Sequence, residues 1–229
     1  MSQFNLFPCD KSLEGLVSNL KDKYGYQETR LEQKPVGANQ EPLPWFTYPA
    51  IEYLAQLDLS DKSIFEWGSG NSSQFFASRC KQITSIESDP EWYEYGSQRM
   101  LPNQKILFQE EAVFAEAIDE SFSKFDLIII DSLRRHDCAL RAINHLNDGG
   151  FIILDNSDWH PKTSEFLRVV CDLIEVDMHG FGPINPYSWT TSLYLRRDFR
   201  FTPKDGIQPK VSKAGIHQIS EYDSRSKKN

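Results

Sequence analysis

The run Phe125-Asp126-Leu127-Ile128-Ile129-Ile130-Asp131 is the most hydrophobic stretch of the chain, and it leaves few architectures open. Its apolar residues follow one another instead of alternating, so side chains on both faces need cover. That is the condition of a central strand in a parallel sheet with helices on each side. A helix from Leu133 to Leu146, a turn at Asp148-Gly149-Gly150 and a second apolar strand, Phe151-Ile152-Ile153-Leu154-Asp155, complete a βαβ unit. Two neighbouring parallel strands then end on carboxylates, Asp131 and Asp155, at the sheet edge where open α/β folds bind ligands.

The same grammar extends upstream. Ile64-Phe65-Glu66-Trp67 reads as a strand that breaks at Gly68-Ser69-Gly70-Asn71 into a helix from Ser72 to about Cys80. Lacking Cβ atoms, Gly68 and Gly70 permit a sharp bend and let a flat or charged ligand lie against the backbone. The helix that follows aims unpaired N–H groups at such a ligand. Gln82 to Glu87 predicts a second strand, and Glu87 lies about 20 residues past Gly68, where nucleotide-binding α/β units set a carboxylate on the ribose hydroxyls. A polar helix over Pro90 to Met100 and a strand at Ile106-Leu107-Phe108 come next, ending at Gln109-Glu110-Glu111-Ala112.

Beyond Asp155, Phe166 to Cys171 reads as helical and Leu173 to Asp177 as a strand. A Gly- and Pro-rich loop runs from His179 to Pro186, and a last strand covers Thr190 to Leu195. Two strands joined without a helix run antiparallel. The expected fold class is α/β: a Rossmann-like, mostly parallel seven-stranded sheet with a C-terminal antiparallel hairpin and helices on both faces. Ahead of it, Leu13, Leu16, Val17 and Leu20 share one face of a helix. The chain thus divides into an N-terminal helix and linker over 1–44, lid or flank to the main unit, a nucleotide-binding domain over 45–202, and a mobile tail over 203–229.

Charge narrows the partners. A formal net charge of -8 and a pI near 5.2 argue against nucleic acid as a partner. No run of 18 or more apolar residues and no basic apolar leader opens the chain, so no membrane partner is expected and the location expected is cytoplasmic. Cys9, Cys80, Cys138 and Cys171 are scattered without ligand spacing and read as unpaired thiols. Oligomeric state is not legible.

Glu66, Gly68, Gly70 and Ser72 spell E-x-G-x-G-x-S, followed by F-D-L-I-I-I-D and G-G-F-I-I-L-D-N. Across about residues 45–160 these resemble motifs I, II and III of the class I S-adenosylmethionine-dependent methyltransferases, with Ser72 where the family usually has a third glycine. The resemblance implies S-adenosyl-L-methionine as cofactor, held by Glu66, Gly68, Ser69, Gly70, Asn71, Ser72, Glu87, Glu111, Ala112, Asp131 and Ser132. Within that set Glu66 lies near the methionyl amino group, Ser72 bonds the methionyl carboxylate and Glu111-Ala112 meet the adenine amino group. Trp45, Thr47 or Tyr48 closes over the methionyl end. Asp131, Asp155 and Asn156 also resemble the hard-oxygen set that holds a magnesium-like ion in catechol-type O-methyltransferases, although a divalent metal is not the expectation here.

Methyl transfer from a sulfonium needs alignment and a dry site, and a hydroxyl nucleophile also needs its proton removed. The proton acceptor is assigned first to His160, just past the fifth strand, then to His179 and His136, with Asp131, Asp155 and Asn156 completing the catalytic set. Arg134 and Arg135 have the guanidinium fork to hold an anionic substrate group. Asn156, Trp159, Tyr187 and Trp189 supply flat walls with polar tips, suited to a small-molecule or glycan acceptor. Two other classes compete. An NAD-dependent oxidoreductase is one, against which the G-x-G-x-x-G fingerprint fails at Ser73; a non-catalytic cofactor- or partner-binding relative is the other.

Overall fold

The computed structural model describes residues 9–121 and 123–216. Helix α1 (Cys9–Ser18) and α2 (Tyr26–Glu32) lead to α3 (Tyr48–Leu54), after which strands and helices alternate: β1 (Ser63–Trp67), α4 (Asn71–Ala77), β2 (Gln82–Glu87), α5 (Pro90–Ser97), β3 (Gln104–Phe108), β4 (Phe125–Ile130), α6 (Arg135–His145), β5 (Leu146–Asp155) and α7 (Pro161–Glu165). The hairpin β6 (Ile174–Gly180) and β7 (Trp189–Leu195) closes the sheet. Its seven strands lie in the order β3-β2-β1-β4-β5-β7-β6. The strands from β1 to β5 pair in parallel, and β7 is antiparallel to both β5 and β6. The expected fold class is the one observed.

Burial on both faces of β4 is complete, since Leu127, Ile128, Ile129 and Ile130 are each 0 % exposed. Leu127 and Ile129 face one core with Ile64, Phe75, Phe76 and Ile153, while Ile128 and Ile130 face a second with Phe65, Trp67, Cys138 and Leu154. Each such side chain contributes about 1.5–3 kcal/mol on leaving water. The strand order reverses between β1 and β4, and the crevice at such a reversal is where this architecture takes ligands.

Several boundaries differ from those expected. Strand β5 starts at Leu146, not Phe151, because Phe125 pairs with Leu146 before the register shifts to Leu127 with Phe151, and Asn147 to Gly150 bulge within the strand. Strand β6 runs on to Gly180, so His179 pairs with Thr190 inside the sheet instead of lying in a loop. Residues 203–216 do not leave as a free tail. Leu57 bridges Pro203, the Lys204 amide donates to the Gln56 carbonyl, and the Lys210 and Lys213 amides donate to Gln56 Oε1 and Glu52 Oε1. The rest of the expected tail, 217–229, lies outside the described residues.

At the other end, Leu13, Leu16 and Val17 of α1 are 54 %, 61 % and 63 % exposed, so of the apolar face read from the sequence only Leu20, just past α1, packs against the core. The chain from α2 onward is anchored: Thr29 Oγ1 donates to the Lys34 carbonyl at 2.5 Å, and Val36 and Leu43 are buried. No helix among the described residues is long and apolar enough to cross a membrane.

Candidate active site

The turn after β1 is built on one glycine. Gly68 has φ +98°, and a Cβ there would meet the Asp131 carbonyl oxygen at 2.4 Å. The turn sits where the ends of three strands meet: the Gly68 amide donates to the Ile86 carbonyl of β2 at 2.8 Å, and the Asp131 amide beyond β4 donates to the Trp67 carbonyl of β1 at 3.1 Å. Gly70 is different, because its φ of 166° is extended backbone and a Cβ would touch only the Trp92 ring, at 3.9 Å. The sharp bend expected of both glycines belongs to Gly68 alone.

Beneath the turn sits Glu66, 0 % exposed. Its Oε2 accepts from Ser73 Oγ at 2.5 Å and Ser85 Oγ at 2.7 Å, and Ser73 Oγ in turn accepts the Gly70 amide at 3.2 Å. Glu66 Oε1 is buried with no partner among the described residues. Burial outweighs the hydroxyl donors and pushes the Glu66 carboxyl up to about 7, with Asp131 adding to the rise. The residue expected beside the methionyl amino group is therefore sealed under the loop as its strut. Asn71 and Ser72, which open α4, line the cleft, and their first-turn amides have no helical carbonyl to accept them.

The buried strut predicts a pH dependence with a definite sign. Between the ordinary value of 4.5 and about 7, the unfolded chain releases the Glu66 proton while the folded chain keeps it. Stability from this group is therefore full below pH 4.5, falls as pH rises through about 7, and then levels, for a total of about 3 kcal/mol. Glu66→Gln mimics the protonated form. Urea unfolding should find it close to wild type at pH 5 and more stable at pH 8, and a difference that does not change with pH would sink the assignment.

Glu87, 5 % exposed at the end of β2, is held by main-chain donors. Its Oε2 accepts the Ser69 amide at 2.7 Å, and its Oε1 accepts the amides of Ser88 at 2.8 Å and Asp89 at 2.9 Å. The same carboxylate thus shapes two loops. Asp89 caps α5, accepting from the amides of Glu91 and Trp92 with Pro90 in the first turn, and so turns Trp92 toward Gly70.

At the ends of β4 and β5 the two acids meet different partners. Asp131 Oδ1 accepts from Arg135 Nη2 at 3.0 Å, and the same nitrogen lies 3.0 Å from Asn156 Oδ1. Burial pushes Asp131 up to about 6 against the pull of Arg135, and the Glu87 charge adds to the rise. Asp155, 2 % exposed, accepts from Thr191 Oγ1 at 2.5 Å and Trp189 Nε1 at 3.1 Å, both on Oδ1. Burial first and the Asp131 charge second hold it well above the ordinary carboxylate range, despite those two donors and Arg135. Thr191 Oγ1 also accepts the Thr47 amide at 3.0 Å, tying Asp155 to the segment ahead of α3.

These groups open on a single cleft of about 540 Å³, within the roughly 300–1,000 Å³ typical of small-ligand sites. Gly68, Ser69, Gly70, Asn71, Ser72, Glu87, Asp131, Ser132, Asp155 and Asn156 all line it, as do Arg135, Trp159, Tyr187 and Trp189. Glu66, Glu111, Ala112, His160, His136 and His179 do not. Glu111 and Ala112 are exposed, their carbonyls accepting from Arg134 Nη1, because the following turn drives Phe114 and Ala115 into the core instead. His160 is half-buried at the start of α7 and held below its usual value by burial and then by Arg135. His136 bonds Thr163 Oγ1 through Nδ1 and packs on Phe166, and His179 is exposed on β6 with Nδ1 on Thr190 Oγ1.

Sequence reasoning missed Pro35, Trp92 and Asn185. Trp92 had a signal, the Asp89-Pro90 helix start directly after Glu87. Pro35 and Asn185 reach the cleft only through distant bonds: Asn71 Nδ2 donates to the Pro35 carbonyl at 2.7 Å, and Arg30 Nη1 holds the Ile184 carbonyl at 3.0 Å. Of the candidates for closing the methionyl end, Trp45 lines the cleft, whereas Thr47 and Tyr48 are buried behind it.

No protein-family model matches this sequence, and no curated protein matches it. Solved structures match in shape. A putative caffeoyl-CoA O-methyltransferase from Staphylococcus aureus aligns over 82 % of this chain and 100 % of its own, with TM-score 0.56 and 16 % identity. An rRNA methylase from Streptococcus thermophilus aligns over 61 % of this chain and 90 % of its own, with TM-score 0.48 and 16 % identity. A precorrin-6y C5,15-methyltransferase from Geobacter metallireducens aligns over 65 % and 88 %, with TM-score 0.48 and 14 % identity. The chain has the fold of the class I methyltransferases, its seven-stranded sheet ending in a reversed hairpin.

Proposed function

We propose that this protein is an S-adenosylmethionine-dependent methyltransferase that methylates a hydroxyl oxygen of a small molecule or sugar. The observation that carries the reading is the convergence on one cleft of the Gly68 turn, the backbone-anchored Glu87 and the acid-ended strands β4 and β5. The cofactor, when bound, supplies a methyl group on a cationic sulfur that departs as a neutral thioether. In this assignment the turn from Gly68 to Ser72 receives the amino-acid end, with the amides of Asn71 and Ser72 facing its carboxylate. Glu87 takes the ribose hydroxyls, and Trp92 covers the loop from the α5 side.

The acceptor lies in the half of the cleft walled by Trp45, Trp159, Tyr187 and Trp189. Flat apolar walls with Asn156 and Asn185 between them suit a ring bearing hydroxyls. Asp155 is a better proton acceptor for that hydroxyl than His160. It lines the cleft, its Oδ1 is pinned by Thr191 and Trp189, and burial raises its affinity for a proton toward the range a general base needs. Its Oδ2 is the oxygen left to work.

Four of the five tryptophans, Trp45, Trp92, Trp159 and Trp189, line the cleft, so occupancy is readable from intrinsic fluorescence. S-adenosylhomocysteine should produce a saturable change at micromolar concentration and NADH none, and incubation with methyl-labelled cofactor and a fractionated small-molecule extract should label an acceptor. Saturable NADH binding with no response to S-adenosylhomocysteine would replace this reading with the oxidoreductase. Tight binding of S-adenosylhomocysteine without transfer to any fraction would replace it with a non-catalytic binder.

A further inference from the structure

We infer that the guanidinium of Arg135 stands where a divalent cation would sit between Asp131, Asp155 and Asn156, so that the acceptor end of the cleft is organised by a built-in cation. The inference deepens the methyltransfer reading and rests on it for its meaning, though not for its test. Three hard oxygen donors at the ends of adjacent strands are the raw material of a magnesium-like site. Such an ion needs several oxygens with free lone pairs at about 2.0–2.6 Å. One oxygen of each of these three side chains is already engaged. One nitrogen, Arg135 Nη2, lies 3.0 Å from Asp131 Oδ1 and 3.0 Å from Asn156 Oδ1, bridging the two oxygens an ion would bridge. Asp155 Oδ1 is committed to Thr191 and Trp189. Among the described residues no group of three or more His, Cys, Asp or Glu side chains is arranged to hold a metal.

The location of Arg135 is a consequence of the local backbone. Arg134 has φ 50° and its guanidinium turns away to Asp137 and to the carbonyls of Glu111 and Ala112, so α6 begins at Arg135 directly beside the end of β4. The Arg135 side chain is 17 % exposed and that of Asp131 23 %, enough burial for a fixed charge to act strongly at short range. Arginine does not give up its proton in proteins, so this positive charge is permanent. A divalent ion entering the same space would face it across a few ångströms. A guanidinium also offers planar, directional donors, which suits holding Asp131 and Asn156 in one plane facing an acceptor oxygen.

The test is Mn²⁺ titration of the full chain, followed by electron paramagnetic resonance, on wild type, Arg135→Ala, Arg135→Gln and each of these combined with Asp131→Asn. Circular dichroism checks that each variant is folded. Wild type should show no stoichiometric Mn²⁺ site. At least one folded single variant should gain one Mn²⁺ per chain with affinity at least roughly tenfold above wild type, and Asp131→Asn should remove it again. One Mn²⁺ bound per wild-type chain and lost with Asp131→Asn overturns the inference, as does failure of both folded single variants to gain a site. The methyl-donor reading fails separately, through the absence of a fluorescence response to S-adenosylhomocysteine in wild type, which leaves the Mn²⁺ comparison intact.

Discussion

Gly68→Ala lowers the melting temperature by roughly 5–20 °C and weakens S-adenosylhomocysteine binding at least about tenfold. The backbone at φ +98° costs a side-chain-bearing residue about 1–3 kcal/mol. The new methyl group, 2.4 Å from the Asp131 carbonyl oxygen, adds about 1–3 kcal/mol of forced displacement. A chain of this size shifts by about 2–4 °C per kcal/mol. Binding falls with stability because the atom displaced is the main chain of Asp131, whose side chain lines the cleft. Gly70→Ala is the control: with extended backbone and only the Trp92 ring at 3.9 Å, it changes the melting temperature by no more than about 3 °C. Equal melting shifts for the two variants, read by differential scanning calorimetry, would remove Gly68 from its role.

Glu87→Gln should raise the dissociation constant for S-adenosylhomocysteine about 100-fold in the fluorescence titration. Both carboxylate oxygens accept main-chain amides, Ser69 on one side and Ser88 and Asp89 on the other. Whichever way the introduced amide is turned, its NH₂ group faces an N–H donor. One buried donor is left unpaired, which lowers folding stability by about 1–3 kcal/mol in free and bound protein alike. The affinity change comes from the lost charged acceptor for the proposed ribose hydroxyls and the displaced Ser69 loop, roughly the 2.7 kcal/mol that a hundredfold change represents. An affinity within threefold of wild type would show that Glu87 does not reach the ligand. Glu87→Ala separates the contributions, since it removes the acceptor without adding a competing donor.

The parts of the fold legible in the sequence are those where burial alone decides. The unbroken apolar run of β4 had to be covered twice, and Leu127 to Ile130 are covered twice. The helix-free connection between β6 and β7 had to reverse direction, and it does. Along the strand edge, chain order was enough to bring Gly68, Glu87, Asp131 and Asp155 together. Features set by pairings distant in sequence were not legible. The Leu146 register that extends β5, the amides of Lys210 and Lys213 that fasten the expected tail to α3 and the turn after it, and the Arg30 grip on Ile184 leave no periodic trace. Glu66 failed differently: its spacing from the turn is right, but whether it faces the ligand or the serines below depends on the pleat of β1, which sends it to the side of Ser73 and Ser85.

The hydroxyl of Thr191 accepts from the main chain at Thr47 and donates to Asp155. The proposed base thereby takes its aim from a residue more than one hundred positions upstream, outside the sheet. A mutation that loosens the short, buried bend before α3 is therefore expected to slow the proposed methyl transfer as well as lower the melting temperature, and a survey for thermal defects alone would register only the second.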